Sequence, residues 1–278
     1  MEEGSSNRTV SVPPGMPFFI TGSCNVCGND AKFYYSDPSL YREQLTCDHC
    51  GAPSRYRSIA RGVLLAFQKL TGLQIESLAK LPPTGVHKFD VYDTQPPFYW
   101  DTCAYSIPEY LKAVKYSNVR LSNFRPNIPF GEMIAPGISN QNLECLTYAN
   151  DSFDLVITTD VMEHVRLDRL AHREIHRVLR LGGVYIFTVP HSSELAETLV
   201  RVQVMDPDDH SKDKFLLEPE YHGNAHSEDG TGALSYRVYG LDLNSFLEDL
   251  GFEVTYFKDD VPGSAILNTE LFYCLKVR

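Results

Sequence analysis

Between residues 54 and 70 the apolar side chains fall at Ile59, Val63, Leu64, Phe67 and Leu70, a spacing that lays one stripe along a helix. Helical spacing returns at Leu167, Leu170, Ala171, Ile175, Val178 and Leu179 ahead of Gly182 and Gly183, and at Leu243, Phe246, Leu247 and Leu250 ahead of Gly251. Glycines in those places read as helix stops. Short apolar runs of strand type stand between them at Phe89–Asp93, Thr102–Ile107, Phe153–Thr159, Val184–Val189, Glu253–Phe257 and Leu271–Val277. Strands alternating with helices predict an α/β fold, a mostly parallel sheet with helices on both faces, whose ligands bind at the carboxyl ends of the strands. Two stretches interrupt the alternation: about 119–139, with Pro126, Pro129 and Pro136, and the polar segment 192–240. The second is too long for an ordinary connection and reads as a lid or binding loop.

Before residue 54 the pattern is different. Ala31–Tyr35 and Glu43–Thr46 read as strands of a small ribbon, and four cysteines are spaced Cys24-x2-Cys27 and Cys47-x2-Cys50, with 19 residues between the pairs. Each pair puts two thiols on one tight turn, relaxed by Gly28 or Gly51, and two facing turns make a closed tetrahedral zinc site. Two disulfides are the alternative, which a reducing compartment disfavours. With four thiolates bound no open position remains, so the zinc is expected to be structural. His49 stands between the last two ligands as a bystander, and Cys103, Cys145 and Cys274 read as inert thiols. The expected organisation is a flexible 1–20, a zinc ribbon at 21–53, a connecting helix and linker at 54–84, and an α/β domain at 85–278.

Charge sharpens the division. The chain of 278 residues has a formal net charge of −11, and residues 1–62 balance six acidic against six basic side chains. The larger part should repel nucleic acid and anionic membrane. Glu2 and Glu3 stand where a signal peptide would be basic, and no apolar run is long enough to span a bilayer, so a cytoplasmic protein is expected.

The segments 139–146, 150–156, Asp160-Val-Met-Glu-His-Val165, Glu174-Ile-His-Arg-Val-Leu-Arg-Leu-Gly-Gly183 and Phe187-Thr-Val-Pro190 resemble, in order and spacing, the second half of a class I S-adenosylmethionine-dependent methyltransferase. With the ribbon, the chain also resembles bacterial methyltransferases that carry an N-terminal zinc ribbon. The resemblance implies a Rossmann-like sheet, S-adenosyl-L-methionine as cofactor, and cofactor contacts at Asp93 and Thr94 after the first strand. It implies Glu109 on the ribose hydroxyls, Asn142 and Leu143 on the adenine, and Asp160 at the methionine end. In the family the positions of Glu163 and His164 more often organise the turn after the fourth strand, with contact to substrate as the alternative. The chain departs from the family where Asp93-Thr94-Gln95-Pro96-Pro97 replaces a glycine-rich turn. Either the loop takes another path around the cofactor, or binding is lost and the chain is a non-catalytic module.

Methyl transfer asks the protein for in-line proximity and, for a hydroxyl acceptor, a base. The candidates are His191, just past the fifth strand, and His222, within the long polar segment. Phe98, Tyr99, Trp100 and Tyr105 are candidates to line the acceptor site, with core packing as the alternative. The expected acceptor is a small molecule or a glycan-like compound. An RNA or protein methyltransferase that uses the ribbon for recognition is the competing enzyme. A nicotinamide dehydrogenase would need a G-x-G-x-x-G turn that does not occur after residue 87. The ribbon is left to pack on the domain, pair two protomers in a homodimer, or recognise a carrier.

Overall fold

The structure is a computed structural model that describes residues 15–82, 89–94, 117–223, 232–258 and 260–278. It divides into two compact units, one drawn from residues within 1–87 and 258–269, the other from residues within 88–98, 117–257 and 270–278. The expected strand at Thr102–Ile107, and Phe98, Tyr99, Trp100, Cys103, Tyr105 and Glu109, lie outside the described residues.

In the first unit β1 (Phe18–Ser23), β2 (Asp30–Tyr35) and β3 (Thr46–Cys47) form an antiparallel ribbon. The ribbon therefore begins inside the stretch expected to be flexible. Its third strand is shorter and later than the expected Glu43–Thr46. Asp37 caps a turn entered through Pro38, and the amides of Glu43 and Gln44 both bond back to Leu40, which holds that stretch bent. Helix α1 (Ser54–Thr71) follows and ends at Gly72, whose φ of 75° suits a residue without a side chain. Ile59, Val63 and Phe67 are buried as the stripe requires, with Arg57 buried among them. Residues 258–269 complete this unit: Ser54 Oγ donates to the carbonyl of Leu267 and accepts from its amide. A side chain at Gly22 would meet the carbonyl of Gly263 at 2.4 Å, so the backbones approach as only glycine permits.

The second unit is built on β4 (Phe89–Asp93), β5 (Ser117–Asn123), β6 (Met133–Ala135), β7 (Ile138–Asn140), β8 (Phe153–Thr159) and β9 (Leu179–Thr188). Segment 192–240 adds three two-stranded ribbons: β10 (Leu199–Val200) with β15 (Arg237–Val238), β11 (Val202–Gln203) with β12 (Lys214–Phe215), and β13 (Tyr221–His222) with β14 (Ala233–Leu234). β16 (Phe252–Phe257) and β17 (Leu271–Lys276) end the chain. The eight-stranded sheet runs β16-β17-β9-β8-β4-β5-β7-β6, parallel from β9 through to β7 and antiparallel at both edges. Helices α2 (Asp168–Val178) and α3 (Asp242–Leu250) place Ala171, Ile175, Val178, Leu243 and Leu247 in one core with Tyr185, Phe187 and Phe272.

Two expectations are corrected here. The stretch 119–139 is not a simple insertion, because most of β5, all of β6 and the start of β7 lie within it and carry it into the sheet. The fully buried Asn140 ties down the loop between them: it accepts from the amide of Arg125 and donates to the carbonyls of Arg125 and Ile128. Nor do Gly182 and Gly183 stop a helix, since α2 ends at Val178 and β9 starts at once. Gly183 serves the sheet instead, because a Cβ there would lie 2.9 Å from the carbonyl oxygen of Arg180 and 3.2 Å from that of Asp154.

Candidate functional site

The central strands of the parallel sheet deliver their carboxyl ends together. Asp93 closes β4, buried, in register with Leu121 on β5 and Ile157 on β8. The Thr94 amide bonds to the Ile157 carbonyl at 3.2 Å, so the chain leaves β4 still held against β8. Asp160 stands just past β8 at φ 49°, a conformation that costs most side chains energy but that Asp tolerates. It is held there by Thr188 at the end of β9. The Asp160 amide donates to the Thr188 carbonyl at 3.0 Å, and the Thr188 hydroxyl donates to its carboxylate at 3.0 Å. Two carboxylates therefore stand at the ends of adjacent parallel strands, a pair of acceptors that fits the ammonium of an amino-acid moiety.

Asn142 and Leu143 lie after β7. The Asn142 side-chain oxygen accepts from the amide of Glu144 at 3.0 Å, which makes it a turn former in this state, and Leu143 is buried in the core. The candidate base His191 is enclosed: its side chain has no exposure, its ring packs on Tyr256 and Phe272, and Nδ1 lies 3.0 Å from the Tyr256 hydroxyl. That is a core position, closed to solvent among the described residues.

His222 comes to a place that its sequence position does not suggest. The turn after β8, Met162–His164, buries Glu163, and segment 192–240 folds back over it. The Tyr236 amide donates to the Glu163 carbonyl at 2.8 Å, and His164 Nδ1 bonds the Leu234 carbonyl at 2.9 Å. Arg237 reaches under the turn to the carbonyls of Met162, Val165 and Arg166. Arg166 forks onto both oxygens of Asp213 at 2.7 and 2.6 Å, a bidentate pair that is nearly fully buried. Those bonds bring β13 to Glu163, with His222 Nδ1 3.7 Å from Glu163 Oε1 and His222 Nε2 3.1 Å from Glu220 Oε1. The carboxylates of Glu163 and Glu220 push the imidazole up to about 9. The neighbouring carboxylates thus favour the protonated ring, and a general base, like a metal ligand, would first have to give up that proton. Arg166, Arg237 and Glu220 carry no motif of their own, and only the folding of the long segment reveals them.

In the first unit the four cysteine sulfurs converge. Cys24 and Cys50 lie 3.7 Å apart and Cys27 and Cys47 3.9 Å apart, with no disulfide. Four sulfurs at about 2.3 Å from one tetrahedral ion stand about 3.8 Å from one another. The thiols thus fit a closed four-coordinate metal, and Cys24, Cys47 and Cys50 are buried with Cys27 half-buried.

Residues 104–187 match the family described as "Methyltransferase domain". Among solved structures, an S-adenosylmethionine dependent methyltransferase from Mesorhizobium loti is 16% identical over 71% of this chain and 94% of its own, with a TM-score of 0.42. A putative one from Listeria monocytogenes is 11% identical over 78% of this chain and 99% of its own, at 0.39. The 1,6-didemethyltoxoflavin-N1-methyltransferase of Burkholderia thailandensis is 14% identical over 69% and 72%, at 0.36. No curated protein matches the chain in sequence. No helix among the described residues is long and apolar enough to cross a membrane. The match over residues 104–187 and the mostly parallel α/β sheet support a methyltransferase domain in this chain.

Proposed function

We propose that the protein transfers the methyl group of S-adenosylmethionine to a small, hydroxylated or sugar-like acceptor. The observation that carries this reading is the covered turn after β8, where segment 192–240 is bound over Glu163 and His164 by Arg166 and Arg237 beside the ends of β4 and β8. A wall of that kind encloses a small acceptor better than it admits a polymer. The net charge of −11 argues the same way against nucleic acid.

The cofactor, when bound, supplies a methyl group on a sulfonium that is itself the driving force. Asp160, oriented by Thr188, and Asp93 receive its amino-acid end, Thr94 lies beside them, and Glu109 takes the ribose hydroxyls. Asn142 and Leu143 border the adenine, with Asn142 exchanging its turn bond for the amino group. The four cysteines hold a structural zinc in the first unit. The test is calorimetric titration of the full chain with S-adenosylmethionine and S-adenosylhomocysteine. One site of micromolar affinity is expected, followed by methyl transfer in a screen of sugars and small hydroxylated metabolites. Folded protein that takes up neither compound overturns the reading.

A further inference from the structure

The Glu163 carboxylate is 1% exposed and, among the described residues, neither of its oxygens has a hydrogen-bond partner. A buried carboxylate left without donors costs several kcal/mol, and native folds retain one only where something else satisfies it. What faces it is a pair of imidazoles. His164 Nε2 and His222 Nδ1 each lie 3.7 Å from Glu163 Oε1, too long for a hydrogen bond. The three ligand atoms all fall within 4.8 Å of one another.

The remaining nitrogens are already committed. His164 Nδ1 bonds the Leu234 carbonyl at 2.9 Å, which fixes its proton there and leaves the Nε2 lone pair toward Glu163. His222 Nε2 donates to Glu220 at 3.1 Å, which turns Nδ1 toward the same oxygen. An imidazole whose far nitrogen donates to a carbonyl or carboxylate is how proteins orient histidine toward a metal. Two ligand atoms about 2.1 Å from one ion lie about 3.4 Å apart at the tetrahedral angle. The two observed 3.7 Å separations need only a few tenths of an ångström of closure, and the two imidazole nitrogens, within 4.8 Å of each other, need at most about 1.4 Å.

We infer that Glu163, His164 and His222 form a divalent-cation site on the acceptor side of the methyltransferase unit. Two imidazoles and one carboxylate suit Zn²⁺, Mn²⁺ or Fe²⁺ and leave coordination positions open. Glu163 closes the site from below, while His164 at 19% and His222 at 31% exposure keep it reachable from solvent. The substrate class follows from the open positions: an acceptor with two neighbouring oxygens, such as vicinal hydroxyls or a hydroxyl beside a carboxylate, held by chelation. That last step rests on the methyl-transfer reading, whereas the cation site itself does not.

The experiment is equilibrium dialysis of the full chain against micromolar free zinc, followed by elemental analysis, with Glu163→Gln and His222→Ala in parallel. The wild-type chain is expected to hold one ion more than either variant, or to bind that ion at least about tenfold more tightly. Equal metal content and affinity in all three overturns the site. His222→Ala lies on a half-exposed ribbon, so it answers the question even if Glu163→Gln fails to fold. Titrating the same samples with S-adenosylhomocysteine separates the two readings. Cofactor binding with no extra ion rejects the cation site alone, and an extra ion with no cofactor binding rejects methyl transfer alone.

Discussion

The Arg57 guanidinium lies 4.2 Å from the centroid of the Phe33 ring, wholly buried. It donates to the carbonyls of Ala52, Ser264 and Ala265, so a full charge rests on an aromatic face and three peptide dipoles. Burial pulls the guanidinium down to about 10, and the charge of the four cysteines opposes that fall. Leucine would take the charge away but strand the three carbonyls, at about 1–3 kcal/mol each. Arg57→Leu is therefore expected to lower the urea unfolding free energy by about 3 kcal/mol or more. Arg57→Lys should restore only part, since an ammonium cannot present a planar fork. A Leu variant as stable as the wild type would show that the charge and its bonds cancel.

The cysteine cluster gives a second test. Metal bound to preformed thiolates adds directly to folding free energy, on the order of 10 kcal/mol in small zinc sites. A strong chelator is expected to lower the melting temperature of the wild-type chain, and Cys47→Ser should start from the lowered value. Adding chelator to Cys47→Ser should then change little. If chelator leaves the wild-type melting curve where it was, the cluster holds no stabilising metal.

At Asp160 the choice of replacement matters. Asn tolerates the same positive φ, so Asp160→Asn removes the charge without forcing the backbone to move. A charge-assisted hydrogen bond is worth about 1.5–3 kcal/mol, so S-adenosylhomocysteine affinity should fall about 10- to 100-fold with the melting temperature nearly unchanged. Wild-type affinity in this variant would take Asp160 out of the cofactor site.

His172 makes stability sensitive to acid. Its ring is fully buried among Tyr185, Phe187 and Phe246, and burial, with the charges of Arg169 and Arg237, pulls it down to about 3. The unfolded chain, with a pKa near 6.5, then binds a proton that the folded chain refuses. Its contribution is intact above about pH 6.5 and is lost at about 1.4 kcal/mol per pH unit as the pH falls toward 3. Urea midpoints at pH 7.5 and pH 5 should differ less in His172→Phe than in the wild type. Identical pH dependence in the two would assign the acid sensitivity elsewhere.

The legible parts of this chain were those whose signal is local. The cysteine pairs name their own partners by spacing, Phe153–Thr159 is apolar enough to be only a buried strand, and α2 repeats its stripe for three turns. β5 was missed because Val119 and Leu121 are too few to mark a strand until a neighbour pairs with it. β9 began earlier than expected because Gly182 and Gly183, usual helix stops, serve the close passage of one backbone by another. Of the cover over the turn after β8 almost nothing was readable. Glu163 and His222 are brought together by Arg166, Arg237 and backbone bonds from 234 and 236, none of which has a pattern in the sequence.

Two of the three carbonyls that hold Arg57 come from residues 264 and 265, and Ser54 is met by Leu267, in the passage between β16 and β17. The amino-terminal ribbon is therefore not a cassette. A chain started near residue 85 would leave 258–269 without the surface it packs on, and a chain stopped there would leave Arg57 charged and stranded. During synthesis the first unit to begin emerging cannot be finished until residues 258–269 have followed, after every described strand of the second unit except β17.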